Sequence, residues 1–310
     1  MCALFGWLDY KGLVPKKLLR KLTQALANSA EERGTDASGI SYVKTGKVTI
    51  YKRPEPAHKL KFNIPDGIVA VMGHTRLATQ GNQKFNYNNH PFFGHADKDF
   101  SFAHNGVIYN DKDLRIERNL PDTYIETDSY VAVQLIEKQN NLDFESLKSI
   151  AEDVEGNFTF TILDEDNSVY IIKGSSPMFL IHFENFGLYV YASTESIMMN
   201  ALKKTGIHKF SFKKIETTDG DILRIDKTGN ISRSEFDIYK NWYDFYDYYN
   251  DYCNDHEQLL LEMCNCYGID EEDIMLLLNY GYSCDEIEDM LCDSILLNGT
   301  IKSIKNEEGY

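Results

Sequence analysis

A cysteine stands at position 2. Initiator methionine is commonly removed ahead of a small residue, and cysteine is small enough. The processed chain would then carry a thiol and an α-amine on one residue. An α-amine titrates near ~7.7–8, and a general base works best with a pKa close to ambient pH. A thiol, titrating near ~8.5, is already a good nucleophile. Cys2 can therefore supply nucleophile and base together. Taken alone, it is more simply an incidental second-position cysteine.

Four short polar segments follow Cys2 in order: RGTDASG at 33–39, GHTRLATQG at 73–81, HNGVIYN at 104–110 and TDSY at 127–130. Each is unspecific by itself. In this order behind an N-terminal cysteine, they closely resemble the class II glutamine amidotransferase family. Glucosamine-6-phosphate synthase, amidophosphoribosyltransferase and asparagine synthetase carry such domains. The resemblance covers roughly residues 2 to 235. It implies hydrolysis of the L-glutamine side-chain amide to glutamate and ammonia through a Cys2 thioester.

The resemblance also gives roles to residues whose chemistry suits them. Glutamine presents a carboxylate, an ammonium and an amide. Arg76 sits where the family binds the carboxylate, and a guanidinium fork can donate two parallel hydrogen bonds to it. The bland alternative is a surface ion pair. Thr79 adds a hydroxyl to the same site. Asp128 sits where the family binds the ammonium; a helical pattern starts there, so N-capping is its structural alternative. Asn105 and Gly106 match the oxyanion hole, as a side-chain amide and a backbone N–H unobstructed by a Cβ. Without the resemblance, Asn-Gly reads as a hairpin turn. Arg33 matches the arginine that holds the N-terminus, and Asp36 buttresses that loop. His74 and His104 invite a Cys–His reading, but the family uses the α-amine as base, which leaves them as packed core histidines. His90, in NNHP, has no assigned role.

The elements that must position these residues follow from periodicity. Residues 3–8 read as a strand and 13–30 as a helix. Residues 40–52 form a hairpin around Lys44 to Gly46, and 67–73 a buried strand. A short strand at 100–103 precedes the Asn105 segment. Helical patterns follow at 128–139, 143–153 and 194–204. Paired strands fill 156–192 and 209–238. This order is not βαβ, so the body is α+β with largely antiparallel sheets. The resemblance sharpens it to a four-layer αββα N-terminal-nucleophile hydrolase sandwich with a small C-terminal helical extension.

Composition sets the outer bounds. With 43% hydrophobic and 26% charged residues, the 310-residue chain has the mix of a soluble globular protein. No apolar run approaches the ~18 residues of a membrane span, and no signal peptide is evident. A cytoplasmic protein with no membrane association is expected. Charge divides the chain: 241–310 holds 17 acidic and 2 basic residues, whereas 1–240 holds 31 and 30. A neutral body with an acidic tail offers nucleic acid no footprint. Residues 2–238 are expected to form the glutaminase domain and 239–310 an acidic, Tyr-rich helical tail, with helices over 258–266, 270–278 and beyond a Ser283–Glu286 capping box. The last ten or so residues are expected to fray. The tail resembles, weakly, small ubiquitin-associated-type helical modules.

The tail cysteines and His256 lack zinc-finger spacing, so no metal is expected, and no cofactor either. About 70 residues after the body are too few for a phosphosugar isomerase, a phosphoribosyltransferase or an ATP-pyrophosphatase. The ammonia acceptor is therefore expected on a separate synthase subunit, or the enzyme is simply a glutaminase; the tail is expected to dock such a subunit or to join copies into a homo-oligomer. Two rival readings stand beside this one. Another Cys-N-terminal hydrolase would take an apolar amide, which the Arg76–Asp128 pairing opposes. A non-catalytic amidotransferase-like binding protein would keep Met1.

Overall fold

The structure is a computed structural model describing residues 2–238, 260, 269–291 and 294–308. It divides into two compact units, Met1–Tyr239 and Lys240–Tyr310.

The first unit is built around β1 (Ala3–Asp9), which is buried along its whole length. Its side chains alternate between two apolar layers, as the period-2 geometry of a strand requires. Phe5 and Trp7 join one cluster and Leu4 and Leu8 another. Each such fully buried side chain contributes about 1.5–3 kcal/mol. The Trp7 indole donates to the Thr23 hydroxyl at 2.7 Å, so its one polar atom is satisfied.

A hairpin of β2 (Ala37–Lys44) and β3 (Lys47–Arg53) turns at Thr45 and Gly46, both at positive φ. β4 (Ala70–Arg76) lies between β1 and β2. Strands β9 (Phe179–Phe183), β10 (Leu188–Ala192) and β11 (Lys213–Ile215) complete a sheet in the order β11-β9-β10-β1-β4-β2-β3. The second sheet runs β13 (Ile231–Glu235), β12 (Asp221–Ile225), β8 (Val169–Lys173), β7 (Gly156–Asp164), β6 (Asp99–Ile108), β5 (Phe92–His95). Every pairing in both sheets is antiparallel.

Helix α1 (Lys16–Ala30) packs with a later helix, Glu195–Thr205, against the first sheet. Helix α2 (Asp111–Glu117) is short. Helices α3 (Tyr130–Gln139) and α4 (Phe144–Asp153) cover the second sheet, and α5 is the Glu195–Thr205 helix. A third apolar layer, including Met72, Ala103, Ile171 and Leu223, lies between the sheets. Three apolar layers separate helices, sheet, sheet and helices, which is the four-layer αββα arrangement. Within the middle layer the Ser41 and Ser101 hydroxyls join the sheets at 2.7 Å.

The structure shifts one expected boundary, adds one helix and rejects the turn alternative for Asn105-Gly106. Helix α1 starts at Lys16 rather than residue 13, because a proline at 15 keeps Val14 before it out of the helical region, Pro15 itself has ψ 131, and Leu13 is exposed. Helix α2 carries too few apolar residues for a legible period. Asn105-Gly106 is not a turn: β6 passes straight through it, with Asn105 opposite Thr159 and Gly106 opposite Phe158.

In the second unit, α6 (Glu271–Tyr280) stops at Gly281, which adopts positive φ. Helix α7 (Cys284–Leu291) begins with a reciprocal capping box: Ser283 N–H donates to the Glu286 carboxylate at 2.9 Å and Glu286 N–H to Ser283 Oγ at 3.3 Å. Helix α8 (Ser294–Glu308) continues through residues 301–308, where fraying was expected. Its buried Leu297, Ile301 and Ile304 recur at helical spacing and close a small core with Ile274, Leu277, Ile287 and Met290. The expected helix at 258–266 lies outside the described residues apart from Leu260. Among the described residues no helix is long and apolar enough to cross a membrane.

Candidate active site

Antiparallel pairing brings distant segments to one end of the two sheets. Cys2 precedes β1, and Ala3 pairs with Thr75, so the thiol lies beside the C-terminal end of β4. Cys2 is partly exposed, with Sγ 3.5 Å from the Leu77 carbonyl oxygen. Arg33, just past α1, donates from Nε to the Cys2 carbonyl at 2.7 Å. Its Nη2 lies 3.5 Å from Asn105 Oδ1 on β6 of the other sheet. Arg33 thus ties the N-terminal residue of one sheet to the candidate oxyanion donor of the other.

A guanidinium has only donors. It therefore draws the carboxamide oxygen of Asn105 and leaves the amide nitrogen to face elsewhere. That nitrogen lies 3.4 Å from Ser193 Oγ. Ser193 follows β10, and its hydroxyl also accepts from Leu4 N–H at 2.8 Å. Sequence reasoning missed Ser193; only the β1–β10 pairing shows it.

Gly106 has φ +144, and a Cβ there would lie 1.7 Å from the Asn157 carbonyl oxygen. No side chain fits. We expect Gly106→Ala to lower stability by about 3 kcal/mol, for strained backbone and overlap together. In a chain of this size that is a fall of roughly 6–12 °C in the thermal unfolding midpoint, checked by calorimetry. An unchanged midpoint would contradict the close β6–β7 approach.

Arg76 ends β4 with its guanidinium buried. It donates to Asn89 Oδ1 at 2.7 Å and to the Gln80 and Gly81 carbonyls at 2.5 and 3.1 Å. These partners are neutral, and Arg76 forms no ion pair among the described residues, which removes the surface-pair alternative. Thr79 lies exposed on the loop after Arg76, and its hydroxyl makes no hydrogen bond among the described residues. Asp36 holds that loop by accepting from Ala78 N–H at 2.8 Å.

Asp128 is buried but does not cap α3, whose N-cap residue is Ser129. Its carboxylate instead accepts from Ile108 N–H at 2.8 Å, fixing it beside the end of β6. Ser129 Oγ lies 3.4 Å from Asp128 and 2.8 Å from His104 Nδ1.

His74, His90 and His104 cluster in the interior. The His74 and His90 rings are 4.3 Å apart, and His74 Nε2 meets the His104 carbonyl at 2.9 Å. Burial holds all three below the usual imidazole range, His74 at about 3. They are neutral at working pH, and none bonds Cys2 among the described residues. Burial also pushes the Cys2 thiol up, while the charge of Arg76 acts in the opposite direction. A thiol so placed needs a base close at hand.

Residues 74–200 match the family described as glutamine amidotransferase domain. The chain is 30% identical over 247 residues to the isomerizing glutamine–fructose-6-phosphate aminotransferase of Staphylococcus aureus, and 29% over 231 residues to that of Staphylococcus epidermidis. These matches take in 73% and 71% of this chain but 39% and 37% of the relatives, so the chain spans about two fifths of their length. Among solved structures, the glutamine phosphoribosylpyrophosphate amidotransferase of B. subtilis superposes with a TM-score of 0.58 at 19% identity, covering 76% of this chain and 50% of that one. An allosteric regulatory enzyme of purine biosynthesis gives 0.61 at 20%, covering 76% and 49%. These two likenesses concern the fold. The matched family and the curated relatives show that the chain carries a glutamine amidotransferase domain, shared with glutamine–fructose-6-phosphate aminotransferase and built on the N-terminal-nucleophile hydrolase fold.

Proposed function

We propose that the chain hydrolyses the side-chain amide of L-glutamine and passes the ammonia to an acceptor on a separate synthase subunit. The observation that carries this reading is the gathering of Cys2, Arg33, Arg76, Asn105 and Asp128 at one end of the sandwich, from segments far apart in sequence. With Met1 removed, the Cys2 amine takes the thiol proton and the thiolate attacks the glutamine Cδ. The oxyanion accepts from Asn105 Nδ2 and Gly106 N–H. The ammonium formed on Cys2 returns its proton to the leaving nitrogen, which departs as ammonia. Water then cleaves the γ-glutamyl thioester, and the thiol is restored as glutamate leaves. Arg76, with Thr79, receives the α-carboxylate and Asp128 the α-ammonium. Arg33 and Asp36 hold the loops on either side of the thiol. No step calls for a metal or cofactor.

Residues 2–238 constitute the glutaminase domain in this reading. The acidic residues 239–310 dock a synthase subunit of complementary charge or join copies of the chain, and the cytoplasm is the site of action. The test is glutamate release from L-glutamine by purified protein whose N-terminus is read by intact mass. The expected result is a chain lacking Met1 that releases glutamate and ammonia in equal amounts. A processed chain that neither turns over nor binds glutamine, with or without a basic synthase partner, would sink the reading.

A further inference from the structure

Lys52 lies on edge strand β3. The residue is half-buried, and its ammonium lies over the Phe92 ring, 4.9 Å from the centroid, and donates to the Asn89 backbone carbonyl at 2.5 Å. Asn86 Nδ2 returns a hydrogen bond to the Lys52 carbonyl at 3.0 Å. Asn89 is the residue whose carboxamide oxygen holds Arg76, and its own Nδ2 donates to the Gln83 carbonyl at 2.8 Å. A continuous chain of contacts thus runs from Lys52 through Asn89 to Arg76.

The charge balance of this chain is unusual. An ammonium drawn partly out of solvent is costly unless a carboxylate pairs with it. Lys52 forms no ion pair among the described residues, and neither does Arg76. The titratable groups that face Lys52 are Arg76 and His74 on β4, and His90 beside cis-Pro91. One is a cation and two are neutral imidazoles. The two cations therefore stand together, Lys52 with no carboxylate acting on it and Arg76 with Asp128, Asp36 and Glu126 nearby but not ion-paired, a field suited to an incoming anion.

Resting on the glutaminase reading, we propose that Lys52 is a positioning residue for the substrate: it holds Asn89 and hence Arg76 in place and adds a second, half-buried positive charge for the glutamine α-carboxylate. Burial, reinforced by Arg76, lowers the Lys52 pKa to about 8. The sign of two effects follows. Glutamine affinity is full while Lys52 is protonated and falls as pH rises through about 8. Fold stability moves the other way. The folded pKa lies below the unfolded value near ~10.4, so the unfolded chain binds more protons between them and stability rises with pH over that window. A lysine kept for the fold alone would not show these opposite trends.

The test is glutamine KM and kcat for wild type, Lys52→Met and Lys52→Arg between pH 6.5 and 8.5, with thermal midpoints at each pH. Wild-type KM should be flat at low pH and rise about threefold by pH 8.5. Lys52→Met should raise KM roughly tenfold at pH 7, flatten the pH dependence, leave kcat within about twofold and not lower the midpoint. Lys52→Arg should restore low KM without the alkaline rise. Wild-type turnover with unchanged KM in Lys52→Met, a parallel loss of kcat and midpoint, or an alkaline rise that survives in Lys52→Arg would each overturn the proposal and leave the glutaminase reading intact. Wild type that neither binds nor turns over glutamine would remove both.

Discussion

Cys2→Ala is expected to release no glutamate above the uncatalysed rate, a loss on the order of 10⁴-fold or more, because the bond-forming atom is gone. Alanine is as small as cysteine, so the same removal of Met1 and a free α-amine are expected of the variant. The substitution therefore separates thiol from amine. The fold should hold, since Cys2 is partly exposed and, among the described residues, its Sγ makes only the long 3.5 Å contact to the Leu77 carbonyl. Arg33 grips the Cys2 carbonyl rather than its side chain, and that bond persists. Calorimetric titration of Cys2→Ala with L-glutamine should accordingly show binding without turnover. Residual glutamate release at a tenth of the wild-type rate would exclude Cys2 as nucleophile and return the domain to another chemistry.

Asn105→Ala is expected to lower kcat by about 10²–10³, the usual worth of one oxyanion donor, or about 2.7–4 kcal/mol of barrier. KM for glutamine should change little, because in the proposed reading the zwitterion is received by Arg76 and Asp128, which lie on other segments. Two long contacts hold the Asn105 side chain, to Arg33 and Ser193. Losing them costs about 1–2 kcal/mol of stability, so the variant should purify folded. Asn105→Asp should be at least as slow: Arg33 would hold the new carboxylate, whose charge repels the oxyanion instead of donating to it. A kcat within threefold of wild type in Asn105→Ala would mean that another group stabilises the oxyanion.

Much of the architecture was legible because its residues carry their own period. The alternation of Phe5 and Trp7 with Leu4 and Leu8 marks a strand buried on both faces. The Thr45-Gly46 turn and the Ser283–Glu286 cap are local devices read from four residues or fewer. Helix α2 was not legible, because its seven residues are mostly charged. Helix α8 was discounted because the charges near its end conceal three apolar residues on one face.

The candidate site divides in the same way. Residue types in order along the chain determined which chemistry to look for: a thiol with its own amine, an arginine, a carboxylate, and an amide next to a glycine. Only tertiary structure decided that Asn105-Gly106 is strand rather than turn, and that Asp128 accepts from β6 rather than capping α3. It alone joined Ser193 to Asn105, and Lys52 to Arg76 through Asn89. The reason is physical. A strand, turn or cap is set by neighbours within one hydrogen-bond register, and the sequence displays those neighbours directly. The orientation of a buried carboxamide or ammonium is set by donors and acceptors dozens of residues away, and these meet only when two sheets close on a common core.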